Sequence, residues 1–147
     1  MKIKTLFRLF AIFAICVPVI AGCSKEALED SGATVVVHGR TCDKITSSPV
    51  MDIRIVLNAY TNADPRTRKI LQSDTTYSRT DGLFEIITAE KSANLIYELV
   101  AADVDGPLNG EYNESVIGII LSMNSPSYDS STNTYDMPGN DFYLERK

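Results

Sequence analysis

From residue 34 onward the apolar side chains alternate with polar ones, and no window carries a helical period. Ile53-Arg54-Ile55-Val56-Leu57 sets the pattern, with Ile53, Ile55 and Leu57 on one face of a strand. Thr34 to Thr41 is rich in β-branched residues and predicts a strand before it. Lys69 to Ser78, Leu83 to Thr88, Leu95 to Ala101 and Ser115 to Leu121 predict four more, and Phe142 with Leu144 a seventh. Within them Phe84 and Ile86 share an inward face, as do Tyr97, Leu99 and Ala101. Strand six is apolar on both faces, which predicts that it is covered. Asp43 to Pro49 and Thr61 to Arg68 are rich in turn formers, and Asp81-Gly82 is a tight-turn pair. Asp103 to Tyr112 reads as an acidic loop, and Ser122 to Asn140 as a long one. The expected fold is an all-β, seven-stranded β-sandwich over residues 34–147.

The leader has a different character. Lys2, Lys4 and Arg8 precede an unbroken apolar run from Leu9 to Ile20. A basic start, a short apolar middle and a small-residue junction make a secretory signal. The run is too short for the roughly 20 residues of a spanning helix. Val19-Ile20-Ala21-Gly22-Cys23 resembles the lipobox of bacterial lipoproteins. That resemblance implies a lipid on the Cys23 thiol, cleavage after Gly22 and acylation of the new amine. Residues 1–22 are then a signal peptide, 23–33 the lipidated cysteine and a polar tether, and 34–147 the domain. Several acyl chains hold a protein at a membrane where one does not, each buried methylene contributing about 0.8 kcal/mol. The expected location is the cell envelope, most simply the outer membrane, facing the periplasm or the surface. Glu26, Glu29 and Asp30 resemble the acidic tags of surface-exposed Bacteroidetes lipoproteins, and also read as a plain solvated linker.

Cleavage changes the charge. The chain carries −5, and loss of three leader cations leaves −8. Such a surface does not favour nucleic acid or anionic lipid. The remaining length of about 125 residues suits one domain with one core. Cys16 leaves with the signal and Cys23 takes the lipid, so Cys42 has no disulfide partner. It reads as a small, partly buried apolar residue.

Val37-x-Gly39-x-Thr41-x-Asp43, Pro49-Val50-x-x-Ile53-x-Ile55-x-Leu57, Ser78-x-x-Asp81-Gly82-x-Phe84-x-Ile86 and Tyr97-x-Leu99-x-Ala101 form one pattern. It resembles the carboxypeptidase regulatory-like domain, over about residues 35 to 102. The resemblance implies a transthyretin-like Greek-key sandwich and no peptidase activity. Thr41 replaces the usual valine, Asp52 the usual glycine and Arg79 a common aspartate. Aspartate tolerates the left-handed backbone that glycine would supply there. The lipobox, with the loop Asp103 to Gly110, further resembles Bacteroidetes radical SAM-associated lipoproteins.

Chemistry is sparse. The sole histidine, His38, points opposite Val37 and Gly39, toward solvent, and nothing in the sequence nominates a partner for it. There is no G-x-S-x-G, H-E-x-x-H, C-x-x-C or phosphate-cradling loop. The loop residues Asp103, Asp105, Asn109 and Glu111, with Tyr112, offer hard oxygens suited to Ca²⁺. They equally make a turn in which Asp and Asn bond their own backbone. Tyr112, Tyr128, Tyr135 and Tyr143 suit either a sugar-stacking surface or core and rim positions. The reading is a non-catalytic, lipid-anchored interaction or structural module, with no cofactor and an unknown envelope protein or glycan as partner. The alternative is a calcium- or glycan-binding module acting through the loops after strands five and six.

Overall fold

The computed structural model describes residues 32–90, 95–119 and 127–147. Among them nine strands form two sheets: β1 Thr34–Asp43, β2 Ile53–Tyr60, β3 Ile70–Tyr77, β4 Leu83–Ala89, β5 Ile96–Asp103, β6 Ser115–Ile119, β7 Tyr128–Asp129, β8 Thr134–Met137 and β9 Phe142–Leu144. One short 3₁₀ turn, Gly106–Leu108, follows β5. Among the described residues no helix is long and apolar enough to cross a membrane. The signal, Cys23 and the tether up to Ser31 lie outside the described residues.

The alternation becomes packing. Ile53, Ile55 and Leu57 are buried while Arg54 between them is exposed. Tyr97, Leu99 and Ala101 face them from β5, in antiparallel register Ile55 to Ala101 and Leu57 to Leu99. The second sheet runs β3-β2-β5-β6, all antiparallel. In the first sheet β1 is central, with β4 antiparallel on one side. On the other side β8 pairs with its first half and β9 with its second, both parallel to it. β7 closes that sheet beyond β8. Val35, Val37, Phe84, Ile86, Phe142 and Leu144 meet the second sheet in one core.

The turns follow the residues. Gly82 has φ +75°, as a tight turn after Asp81 requires, and Asp52 adopts the left-handed φ of +60°. Thr41 is wholly buried and donates its hydroxyl to the carbonyls of Val50 and Gly82 at 2.5 and 3.1 Å. Gly39 is required by a close approach. A side-chain carbon there would overlap the Asn140 carbonyl and lie 2.6 Å from Phe84 Cζ.

Three expectations change. The segment Ser122 to Asn140 is not one long loop, since residues 128–137 hold the β7–β8 hairpin; residues 122–126 lie outside the described set. The two short strands raise the count from seven to nine. β6 is not covered on both faces: Val116 is 54% exposed while Ile119 is buried. Val56 and Val100 lie level with Val116 and form with it an apolar band across β2, β5 and β6 on the outward face of the second sheet. A sheet with one solvated face is ordinary for antiparallel strands.

Candidate functional site

The outward face of the first sheet joins charged groups that sequence separates. His38 on β1 lies opposite Glu85 on β4, and Asp136 on β8 opposite Val36. His38 Nδ1 is 3.2 Å from Glu85 Oε2, and Nε2 is 3.1 Å from Asp136 Oδ1. The imidazole is half-exposed between them. A carboxylate thus lies at each ring nitrogen. Among the described residues neither nitrogen meets a hydroxyl or thiol. The arrangement is a clamp across three strands. Its carboxylates could be found only from register, since Asp136 arrives through an unforeseen strand.

A hollow opens on each side of His38. One, about 340 Å³, is lined by Arg40, Arg79, Leu83 and Phe84 among others. The other, about 690 Å³, is shallower and lined by Val36, Asp129, Thr132, Thr134 and Pro138 among others. Asp129 is held below the usual carboxylate range by the hydroxyl and main-chain N–H of Ser131.

The acidic loop folds on itself. Asp103 Oδ2 accepts the Tyr112 N–H at 2.9 Å, and Oδ1 the Asp105 N–H at 3.3 Å. Burial works against its charge, yet these N–H groups hold its carboxyl below the usual range. Asn109 Nδ2 stands 2.6 Å from Asp105 Oδ2 and 3.4 Å from Asp52 Oδ2. The Asn109 amide thus bridges the Asp105 and Asp52 carboxylates, and the loop closes on itself through hydrogen bonds. Among the described residues no group of three or more His, Cys, Asp or Glu is placed to hold a metal ion. Glu111 is exposed, and its carbonyl accepts the Lys147 N–H.

Beside this loop lies a cluster absent from the sequence reading. Asp43 is 2% exposed. It accepts the main-chain N–H groups of Thr46 and Ile45 at 2.9 Å, Arg146 Nε at 2.6 Å and the Tyr112 hydroxyl at 3.3 Å. The Thr46 N–H first, then Arg146, hold its carboxyl far below the usual range. The Arg146 guanidinium also covers the Tyr112 ring, 5.6 Å from its centre. An Asp opening a turn is a sequence signal; its partner Arg146 is not.

The four tyrosines do not share a surface. Tyr112 and Tyr135 are buried, Tyr128 stacks on Tyr135 with ring centres 4.7 Å apart, and Tyr143 stands exposed elsewhere. Cys42 is a buried free thiol, and burial raises its pKa. The loops after β5 and β6 leave opposite ends of the second sheet, because Ile53 pairs with Asp103 and Tyr97 with Ile119.

No protein-family model matches the chain, and no curated protein matches it. Solved structures do. The major plantain pollen allergen Pla l 1 is 15% identical, with TM-score 0.52, over 78% of this chain and 95% of that one. The group B streptococcus pilus 2b backbone protein is 15% identical, with TM-score 0.47, over 78% of this chain and 41% of that one. Hydroxyquinol 1,2-dioxygenase from Pseudomonas putida DLL-E4 is 16% identical, with TM-score 0.44, over 82% of this chain and 59% of that one. The chain thus spans less than two thirds of the pilus and dioxygenase chains. The likeness to the allergen shows the fold: an all-β sandwich of two sheets.

Proposed function

We propose that the chain is a lipid-anchored envelope protein whose sandwich is a non-catalytic interaction or structural module. The observation that carries the second half is the outward face of β4, β1 and β8. A filled core holds these strands rigid, and they present Glu85, His38 and Asp136 as one ionic row beside Ile87, which is 63% exposed. Fixed strands displaying side chains already held in place by one another suit recognition, because little order is lost on contact. The resemblance to carboxypeptidase regulatory-like domains supports the same reading. The anchor rests on the lipobox and its basic, apolar leader.

Two experiments test this. Metabolic acyl labelling should mark the wild-type protein, and Cys23→Ala should abolish both label and cleavage; continued labelling of the variant would place the anchor elsewhere. A photo-crosslinking residue at position 87 should capture an envelope component on intact cells, and one at exposed Arg66 should not. Equal capture at both positions would remove the face from consideration. A calcium or glycan role for the loops would appear as calcium-dependent melting that Asp105→Asn removes, or as glycan binding that it weakens.

A further inference from the structure

We propose that the hollow beside Tyr143 binds one sugar ring of a neutral glycan, stacked on the tyrosine and hydrogen-bonded by Asn113 and Glu114. The proposal rests on the reading of the sandwich as an interaction module and adds the chemistry of the partner. The place is distinct from the loop of Asp103, Asp105 and Asn109.

Three stretches far apart in sequence build the hollow. β9 runs parallel to the end of β1, with Tyr143 level with Cys42. Phe142 and Leu144 on either side are buried, so Tyr143 faces outward and is 58% exposed. The Lys44 N–H donates to the Leu144 carbonyl and the Asn113 N–H to the Glu145 carbonyl, at 2.9 and 2.8 Å. A further bridge joins Tyr112 to Arg146. The turn after β1, the end of β9 and the approach to β6 are thereby held against one another. Lys44, Asn113, Glu114, Ser115, Tyr143 and Glu145 line the hollow between them, of about 230 Å³.

The free groups match a sugar. Lys44 is ion-paired with Glu145 across one wall. The Asn113 amide, the Glu114 carboxylate and the hydroxyls of Ser115 and Tyr143 have no hydrogen-bond partner among the described residues. An amide offers donors and an acceptor in one plane, and a carboxylate offers two acceptors. Neighbouring hydroxyls on a hexose each donate and accept, so such planar groups take them in pairs. The C–H face of the same sugar is slightly positive and meets the negative face of an aromatic ring. A tyrosine on a fixed strand gives up little freedom on contact.

Other ligand classes fit less well. Glu114 beside the Lys44–Glu145 pair leaves one net negative charge at the hollow, in a chain of net charge −5, which disfavours phosphate and carboxylate ligands. An amine would meet the Lys44 ammonium in the wall. An apolar ligand would find a single ring among polar groups, whereas sites for such ligands are lined mostly by hydrophobic side chains. The volume lies below the roughly 300–1,000 Å³ of a drug-sized site and suits one ring.

The test is a ligand-observed NMR titration of the full-length lipoprotein in a zwitterionic, sugar-free detergent. The probes are the methyl glycosides of glucose and of N-acetylglucosamine, with lysine methyl ester as the amine control. At least one glycoside should bind, and more tightly than the amine. Tyr143→Ala should weaken that binding by about tenfold and Asn113→Ala by about fivefold, while Tyr143→Phe keeps it within about threefold. Both positions are exposed, so the melting midpoints should stay near wild type. Arg54→Gln, on the outward face of the other sheet, should leave binding unchanged. Absence of glycoside binding, an amine bound as tightly, or affinity that survives Tyr143→Ala would overturn the proposal. Affinity lost in Asp105→Asn but kept in Tyr143→Ala would also overturn it and move the sugar to the loop after β5. Capture at position 87 is read on cells, so a failed titration leaves the broader reading standing.

Discussion

A methyl group tests how the last segment of the chain meets β1. At Gly39 it would collide with the Asn140 carbonyl and with Phe84. Gly39→Ala should therefore lower the urea midpoint by the equivalent of about 1–3 kcal/mol, the range of an overpacked core. Phe84 is 3% exposed and meets Phe142 with ring centres 6.0 Å apart. Phe84→Ala should cost about 3–5 kcal/mol in the same melts, and a loss under about 1 would contradict its burial. Asp43 makes a pH prediction. Its folded pKa is depressed, so its stabilisation is complete above the unfolded value of about 3.9 and is lost as pH falls below it. Wild type should lose melting temperature steeply below about pH 4, and Asp43→Asn should be less stable at neutral pH with a shallower acid slope. Phe84, Gly82 and Asp52 were legible because each is dictated by neighbours within a few residues. The bond from Arg146 to Asp43 spans 103 residues, and no local pattern announces it.

At the scale of elements, β1, β2, β4 and β5 were legible because each alternates over at least five residues with its apolar side buried. β7 and β8 were not. β7 has two residues, and in β8 only Tyr135 is fully buried. The strand character of β8 is borrowed from pairing with β1 and that of β7 from pairing with β8, which a local pattern does not carry. Asn140 secures the junction of β8 with β9. Its side-chain amide donates to the carbonyls of Met137 at 2.7 Å and His38 at 3.3 Å. Asn140→Ala should cost about 1–3 kcal/mol and speed amide exchange in β8 and β9. In β6, apolarity on both faces suggested cover, but apolar atoms make up much of any protein surface. Val116→Thr should accordingly stay within about 0.5 kcal/mol of wild type.

At the scale of the whole molecule, the two-sheet architecture was legible and the ionic row was not, because register across three strands decides which charges meet. The pairing of the first strand with the last has a mechanical consequence. β1 runs in the same direction as β8 and β9, so the chain enters at one end of the sheet and leaves at the other. Tension applied between residues 34 and 147 loads these strands along their length. The bonds joining β1 to β8 and β9 then share the load and must yield together rather than open one after another. In single-molecule pulling from those termini the domain should resist far greater force than when pulled across the β4–β1 pair, where the bonds are met singly. Parallel pairing of β1 with β8 and β9 thus makes this sheet resist stretching between residues 34 and 147.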